Sequence, residues 1–442
     1  MSVNILGPPL LIVSRWFRNA ASHGVRRESG KQIVSKRPSS LHKRRQLYSH
    51  SQIHSASPFL PQQYGYADPD STRKYNAFAT AAGCSSRRRR RQSKPNNSVF
   101  QCLVNKDTDT LQRASNAVSI SGRYGTWAFL PVTDGVFVQS LPSQQLSKKD
   151  ASKGGLNGVN ALIGVRSTNN LSTVALADIP FQNMANEGPS FTPQNISTEA
   201  DFLSFVRTTF PLFTDADIKK LLTYYPSAAV AANFNPAIPR FATDGITPPN
   251  SALNVSTYGT GLQQLANDLY AETTFVCPSY WLTEAFTGNG RKAYKYQYSI
   301  PGAQHGSDVP LYFGPATENQ GAELSSAVMK MLGNFVVKSD PSITLVAAKG
   351  AGGDGGVSSD AEVKAATAWP IYTLEKPLQM NWNTTGGTEY LAESFSSTAP
   401  LIRQTREPGL RNKFDIVDAV KWEAGRGSRC EFFKSVGPRV PE

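Results

Sequence analysis

Hydrophobic positions along the chain fall into two periods. Ala293 to Ile300 alternates strictly, with Tyr294, Tyr296, Tyr298 and Ile300 on one side and Ala293, Lys295, Gln297 and Ser299 on the other. A period of two predicts a β-strand with one buried face. Elsewhere the spacing is helical. Phe202, Phe205, Val206 and Thr209 follow Thr198 and Asp201, a pair suited to closing the first turn of a helix. Ile218, Leu221, Leu222 and Tyr225 follow Thr214 and Asp217 in the same way, and Pro226 ends that run. Leu262, Leu265, Ala266 and Leu269 make a third apolar stripe; Leu324, Val328, Met331 and Phe335 make a fourth. Thr126 to Val138 reads as strand-rich, with a turn at Thr133-Asp134-Gly135. Helices interleaved with strands predict an α/β layer fold. Pro301-Gly302 ends the alternating strand and His305 follows on a loop, where functional loops of open α/β sheets sit.

The chain has 442 residues and a net charge of +13. Residues 1–54 contribute +9, from ten Lys/Arg and Glu28, and Arg87 to Arg91 add +5, which leaves −1 for the rest. A neutral body carries no basic groove, so no nucleic-acid partner is expected. Residues 1–54 are Ser- and Arg-rich without clean periodicity and read as a disordered basic leader. The leader fits no secretory signal convincingly, because its short apolar run is broken by Pro8 and Pro9. Composition becomes that of a globular protein near Ser57, which divides the chain into a leader, 1–54, and a body, 55–442. No apolar run approaches the roughly 18 residues of a membrane span, so no transmembrane segment is expected.

Candidate chemistry is sparse. Four of the five histidines (His23, His42, His50, His54) lie in the leader, and the body has His305 alone. One imidazole and four scattered cysteines make no zinc site, and no metal or cofactor is expected. The glycine-rich run Gly350 to Gly356 lacks the Lys and Ser/Thr of a phosphate-binding loop. Imidazole acid–base chemistry in the body therefore rests on His305.

Several short motifs, taken in order, carry a resemblance. They are Ser57-Pro58-Phe59-Leu60-Pro61-Gln62-Gln63-Tyr64, Phe129-Leu130-Pro131-Val132-Thr133-Asp134-Gly135, Ala185-Asn186-Glu187-Gly188-Pro189-Ser190-Phe191, and Gln304-His305-Gly306-Ser307-Asp308 through Phe313-Gly314, with a matching ending from Trp422 to Phe433. In this order the chain resembles the carboxylesterase/lipase type B (cholinesterase-like) family, most closely its fungal members, over the C-terminal part of the family's domain. The resemblance implies a partial α/β-hydrolase fold, with a central mixed sheet and flanking helices. It also implies hydrolysis of carboxylic esters or lipids by a Ser–Glu–His triad, with Glu187 as the acid and His305 as the base. A serine hydroxyl is a weak nucleophile until a base takes its proton, and the carboxylate orients and stabilises that base.

The nucleophile is not found. No G-x-S-x-G elbow and no H-G-G-G-type oxyanion loop occurs in the chain. Val165 to Met184 stands as an apparent insertion before Glu187, and the stretch 85–97 as another between Cys84 and Cys102. The four cysteines are even in number, and the resemblance pairs Cys84 with Cys102 and Cys277 with Cys430; four reduced thiols are the alternative. Asn96, Asn170, Asn195, Asn254 and Asn383 head N-glycosylation sequons, consistent with the secreted location that the resemblance implies. Two functions stay open: an ester hydrolase, and a catalytically inactive homologue or binding module. The elbow serine discriminates them, and on its absence a gap is expected opposite His305.

Overall fold

The computed structural model describes residues 52–55, 58–85, 98–120, 128–147, 160–163, 183–227, 253, 256–288, 290–352, 356–394, 400–437 and 439. Residues 1–51, the Arg87 to Arg91 run and most of both apparent insertions lie outside the described residues. In chain order, β1 (Gln52–Ser55) precedes α1 (Pro69–Ala81), α2 (Val99–Val104), α3 (Thr108–Ile120) and α4 (Pro142–Ser147). Then come β2 (Asn160–Ile163), β3 (Asn183–Met184), α5 (Glu199–Thr209), α6 (Asp215–Tyr224) and α7 (Gly261–Ala271). A π-helical turn, Glu272–Val276, joins α7 to α8 (Cys277–Ala285). β4 (Lys292–Tyr298), α9 (Val309–Phe313), α10 (Gly321–Lys338), α11 (Leu345–Lys349) and α12 (Asp360–Val363) follow. The chain ends in a long hairpin, β5 (Leu378–Glu393) and β6 (Leu401–Asp418), and then α13 (Trp422–Ser435).

The strands form one mixed sheet in the order β1-β2-β4-β5-β6, with β3 also paired to β4. Pairing is parallel from β1 to β5, and β6 closes the edge antiparallel to β5. β1 crosses the leader boundary placed at residue 54: Gln52 to His54 are already in the sheet, paired with Asn160 to Leu162. Both capping boxes form, Thr198 with Asp201 and Thr214 with Asp217, and α5 and α6 start where their side chains satisfy the first free amides.

Three local expectations are corrected. Residues 128–138 form turns rather than a strand; one bridge, Gly65 to Thr133, ties them to the preceding loop. α7 is buried on every side rather than along one stripe. β4 is buried on both faces: Lys295 and Gln297 are as inaccessible as Tyr296 and Tyr298. The physical reason is position, since a central parallel strand is covered on both sides by helices. The tyrosine face packs against α10, through Leu324, Val328, Met331 and Phe335, and against Trp369 and Trp382. The opposite face meets α8 and α13, whose apolar residues belong to a second core with α5, α6 and α7.

Disulfides join Cys84 to Cys102 and Cys277 to Cys430, with Cα separations of 5.7 Å and 5.0 Å. This is the pairing implied by the resemblance. The first closes a local loop between α1 and α2. The second ties α8 to α13 across 153 residues, a span for which loop-closure entropy alone gives about 5 kcal/mol.

Candidate active site

Two loops meet at the carboxyl end of β4. The Ala185 amide donates to the Tyr298 carbonyl at 3.0 Å and the Asn186 amide to the Ala303 carbonyl at 2.9 Å, and Asn186 pairs as an isolated bridge with Gln304. That register places Glu187 and His305 side by side, each one residue past a bridged position. Residues 118 apart in sequence thus become neighbours through backbone pairing alone.

His305 Nδ1 lies 2.5 Å from Glu187 Oε2. A carboxylate only accepts, so Nδ1–H donates and Nε2 is left as the basic nitrogen. Glu187 is wholly buried, and its other oxygen accepts the Met184 amide at 2.8 Å. Two hydrogen bonds hold the carboxylate in one orientation. Gly188 is required next to it: a Cβ there would lie 1.8 Å from the Asn267 carbonyl oxygen of α7. Thr192, at the end of the acid loop, donates its hydroxyl to the Asn267 side chain, so α7 fixes that loop at two points.

The histidine loop is fixed as firmly. The Gly302 carbonyl accepts from the Tyr258 hydroxyl at 3.2 Å and the Ser307 hydroxyl at 3.1 Å. Behind it, Asp308 accepts from the Tyr312 hydroxyl at 2.6 Å, and Tyr312 meets the Tyr296 hydroxyl at 3.2 Å, which ties the loop to β4.

Around the imidazole the surroundings are aromatic. Phe275, from the π-helical turn, lies 4.5 Å from the His305 ring centroid, and Phe191 lies 5.2 Å away, edge-on. The His305 side chain is 11% exposed. Phe191 lies in the motif read from the sequence; Phe275 carried no sequence signal, because the stripe of Leu262, Leu265, Ala266 and Leu269 runs on at the helical period to Thr273 and Val276 and passes it by. No group of three or more His, Cys, Asp or Glu is arranged to hold a metal among the described residues. Nor, among them, is any helix long and apolar enough to cross a membrane.

The mixed, mostly parallel sheet flanked by helices has the α/β-hydrolase fold. Residues 28–396 match the carboxylesterase family, and the chain belongs to that family. The match begins inside the span read as leader. Secreted lipase 4 of Gibberella zeae is 24% identical over 157 residues, which cover 35% of this chain and 23% of that protein. The crystal structure of Aspergillus niger EstA superimposes with a TM-score of 0.51 at 18% identity, covering 88% of this chain and 59% of that one. The chain thus spans about three fifths of the EstA chain and under a quarter of the lipase.

Proposed function

We propose that residues 55–442 are the C-terminal part of a type B carboxylesterase domain and carry the acid and base of a serine ester hydrolase. In this reading Glu187 orients His305 and stabilises its imidazolium. His305 Nε2 takes the proton of a serine hydroxyl as that oxygen attacks the ester carbonyl, then returns it to the departing alcohol. The substrate class is a carboxylic ester or lipid, and the chemistry asks for no cofactor and no nucleic-acid partner. The observation that carries the reading is the 2.5 Å contact between a fully buried carboxylate and the imidazole, set by the bridge between their loops.

The nucleophile is the point on which activity turns. With no elbow serine in the chain, the polypeptide as it stands hydrolyses an activated aryl ester at background rate, and His305→Ala leaves that rate unchanged. A fluorophosphonate that labels active-site serines does not label it. Rapid turnover abolished by His305→Ala, with fluorophosphonate labelling, would instead show that a serine outside the elbow pattern serves as nucleophile. The inactive-homologue alternative would then be wrong. The match to a secreted lipase and the sequons support a secreted glycoprotein. Of the two sequons among the described residues, Asn195 is exposed, whereas Asn383 is half-buried in β5 beside buried Thr384. On export from a eukaryotic host the glycan belongs on Asn195, and peptide mass spectrometry before and after enzymatic deglycosylation reads it directly.

A further inference from the structure

We propose that Phe275 is a positioning residue for His305, held in place by the anchored π-helical turn that carries it. The inference rests on the Glu187–His305 reading above and adds a residue to it.

One hydrogen bond fixes one imidazole atom. A ring held only at Nδ1 can still swing about that contact and carry Nε2 away from its target. Phe275 and Phe191 limit the swing: they meet the imidazole at centroid distances of 4.5 Å and 5.2 Å and at interplanar angles of 43° and 81°. They also touch each other at 5.3 Å, so the bracket is continuous. Phe191 rides on the acid loop, four residues past Glu187. Phe275 comes from a different layer and brings independent support.

That support is anchored on both sides of Phe275. Three residues before it, fully buried Glu272 accepts from Arg426 Nε at 2.7 Å, Arg429 Nε at 2.6 Å, Arg429 Nη2 at 2.6 Å and the Tyr225 hydroxyl at 2.5 Å. Two residues after it, Cys277 is bonded to Cys430. Both anchors end on α13. One residue before Phe275, the Thr274 carbonyl accepts the Leu60 amide at 3.1 Å. A π-turn inserts an extra residue into a helix, which rotates the residues beyond it by about 100°. Phe275 lies inside this turn, in the apolar core that α7 shares with α8 and α13, with its ring against His305. Such turns are rare and costly to keep, and they recur at functional sites.

The test reads the hydrogen bond itself, not turnover. In the full chain, labelled with 15N-histidine, the Nδ1 proton shared with Glu187 gives a strongly deshielded resonance, absent from His305→Ala and from Glu187→Ala. Phe275→Leu and Phe275→Met, each confirmed folded by its thermal transition, are expected to broaden that resonance or speed its exchange with water about tenfold. Phe210→Leu removes an equally buried ring from the same apolar core, away from His305, and should leave the resonance as in the wild type. Unchanged exchange in both Phe275 variants overturns the inference. So does an equal effect of Phe210→Leu, which would mean general loosening of the core. If the wild-type chain shows no such resonance at all, the Glu187–His305 pairing fails, and the positioning role fails with it.

Discussion

The two faces of β4 are equally buried and held by opposite means. On one, Tyr296 packs against Trp382 at 3.9 Å and meets Trp369 edge-on at 5.6 Å, and its side-chain hydrogen bond is made at the hydroxyl tip. On the other, Lys295 and Gln297 lie under a cluster of full charges. Lys295 Nζ donates to the Ser279 hydroxyl at 2.8 Å and sits 4.3 Å from the Tyr280 ring. Gln297 accepts from Arg426 and donates to Glu423. Arg426 and Arg429 in turn share Asp268 and Glu272. The tyrosine face gains from area and dispersion, is additive in small steps and is insensitive to pH. The charged face is worth little as a sum, because desolvation offsets attraction, and it fails abruptly when a guanidinium that neutralises its carboxylates is removed.

The comparison breaks most sharply at Arg429. Its guanidinium makes two of the hydrogen bonds to Glu272, from Nε and Nη2, and donates to the Ala424 and Glu423 carbonyls at 2.9 Å and 2.8 Å. Glu423 and Ala424 sit at φ of 51° and 57°, a left-handed conformation that non-glycine residues adopt at a cost. Arg429→Met leaves a buried carboxylate short of a partner and that strained turn unsupported. An expected loss of about 3–5 kcal/mol, read by urea denaturation, results from the uncompensated charge. A loss under about 1 kcal/mol would show that the cluster is not the keystone of this face.

Asp268 makes the charged face titrate. Burial pushes its carboxyl up to about 7, and the neighbouring charge of Glu272 adds to this against the pull of Arg426 and Arg429. Burial also acts to raise Glu272, but the two guanidinia outweigh it and hold that carboxyl at about 2. A carboxyl whose folded pKa lies above its unfolded one contributes stability that is complete below the unfolded value, near 3.8, and is lost as pH rises through about 7. Asp268→Asn mimics the protonated form and still accepts from Arg426. It should match the wild type near pH 4 and exceed it by on the order of 3 kcal/mol above pH 8. Parallel stability–pH curves would contradict this assignment.

Lys295 sharpens the contrast from the other side. Burial, with help from Arg426, holds its ammonium well below the usual lysine range. The unfolded chain therefore holds this proton to higher pH than the folded chain does. The deficit disappears above the unfolded pKa, near 10.4, and grows as pH falls below it. Lys295→Met keeps the stem, removes the titration and converts one position of this face to the logic of the other. A gain on the order of 1 kcal/mol at pH 7, shrinking toward pH 10, is expected in thermal unfolding. A net loss would mean that the contact with Ser279 outweighs desolvation.

How much of this was legible depends on the range of each interaction. Thr198 with Asp201 and Thr214 with Asp217 act over three residues, so the helix starts could be read directly. The alternation of β4 gave the strand, but not the burial of Lys295 and Gln297. Their partners Ser279, Arg426 and Glu423 come from helices up to 129 residues away, and no local pattern announces them. Glu187 and His305 were reached through motif order rather than through periodicity; the bridge between Asn186 and Gln304 is what brings them together. Phe275 escaped because the helical period that marks Leu262, Leu265, Ala266 and Leu269 runs on through Thr273 and Val276 instead. Thr126 to Val138 misled because β-branched and aromatic residues favour strands only where a neighbouring strand is there to pair. Here one bridge to Gly65 forms, and Asp134 accepts three backbone amides that curl residues 134–138 into a turn.

The smallest expected effect lies on the tyrosine face, at Tyr296. Its hydroxyl meets the Tyr312 hydroxyl at 3.2 Å, while Tyr312 donates to Asp308 at 2.6 Å, so the pair links β4 to the loop that carries His305. Tyr296→Phe removes the polar tip and keeps the ring against Trp382 and Trp369. Because Tyr312 retains its bond to Asp308, no buried carboxylate is stranded, and the cost is about 0.5–1 kcal/mol, one neutral hydrogen bond. The dry face should absorb it without any change in the pH dependence of stability, in contrast to Asp268→Asn. Burial already holds the Tyr296 phenol well above its usual range, so it titrates in neither state below pH 9 and leaves no signature to lose. A loss as large as that of Arg429→Met would mean that the hydroxyl chain from Tyr296 to Asp308 supports this face as the ion cluster supports the other. The two faces would then be alike in kind, and the contrast between them would fail.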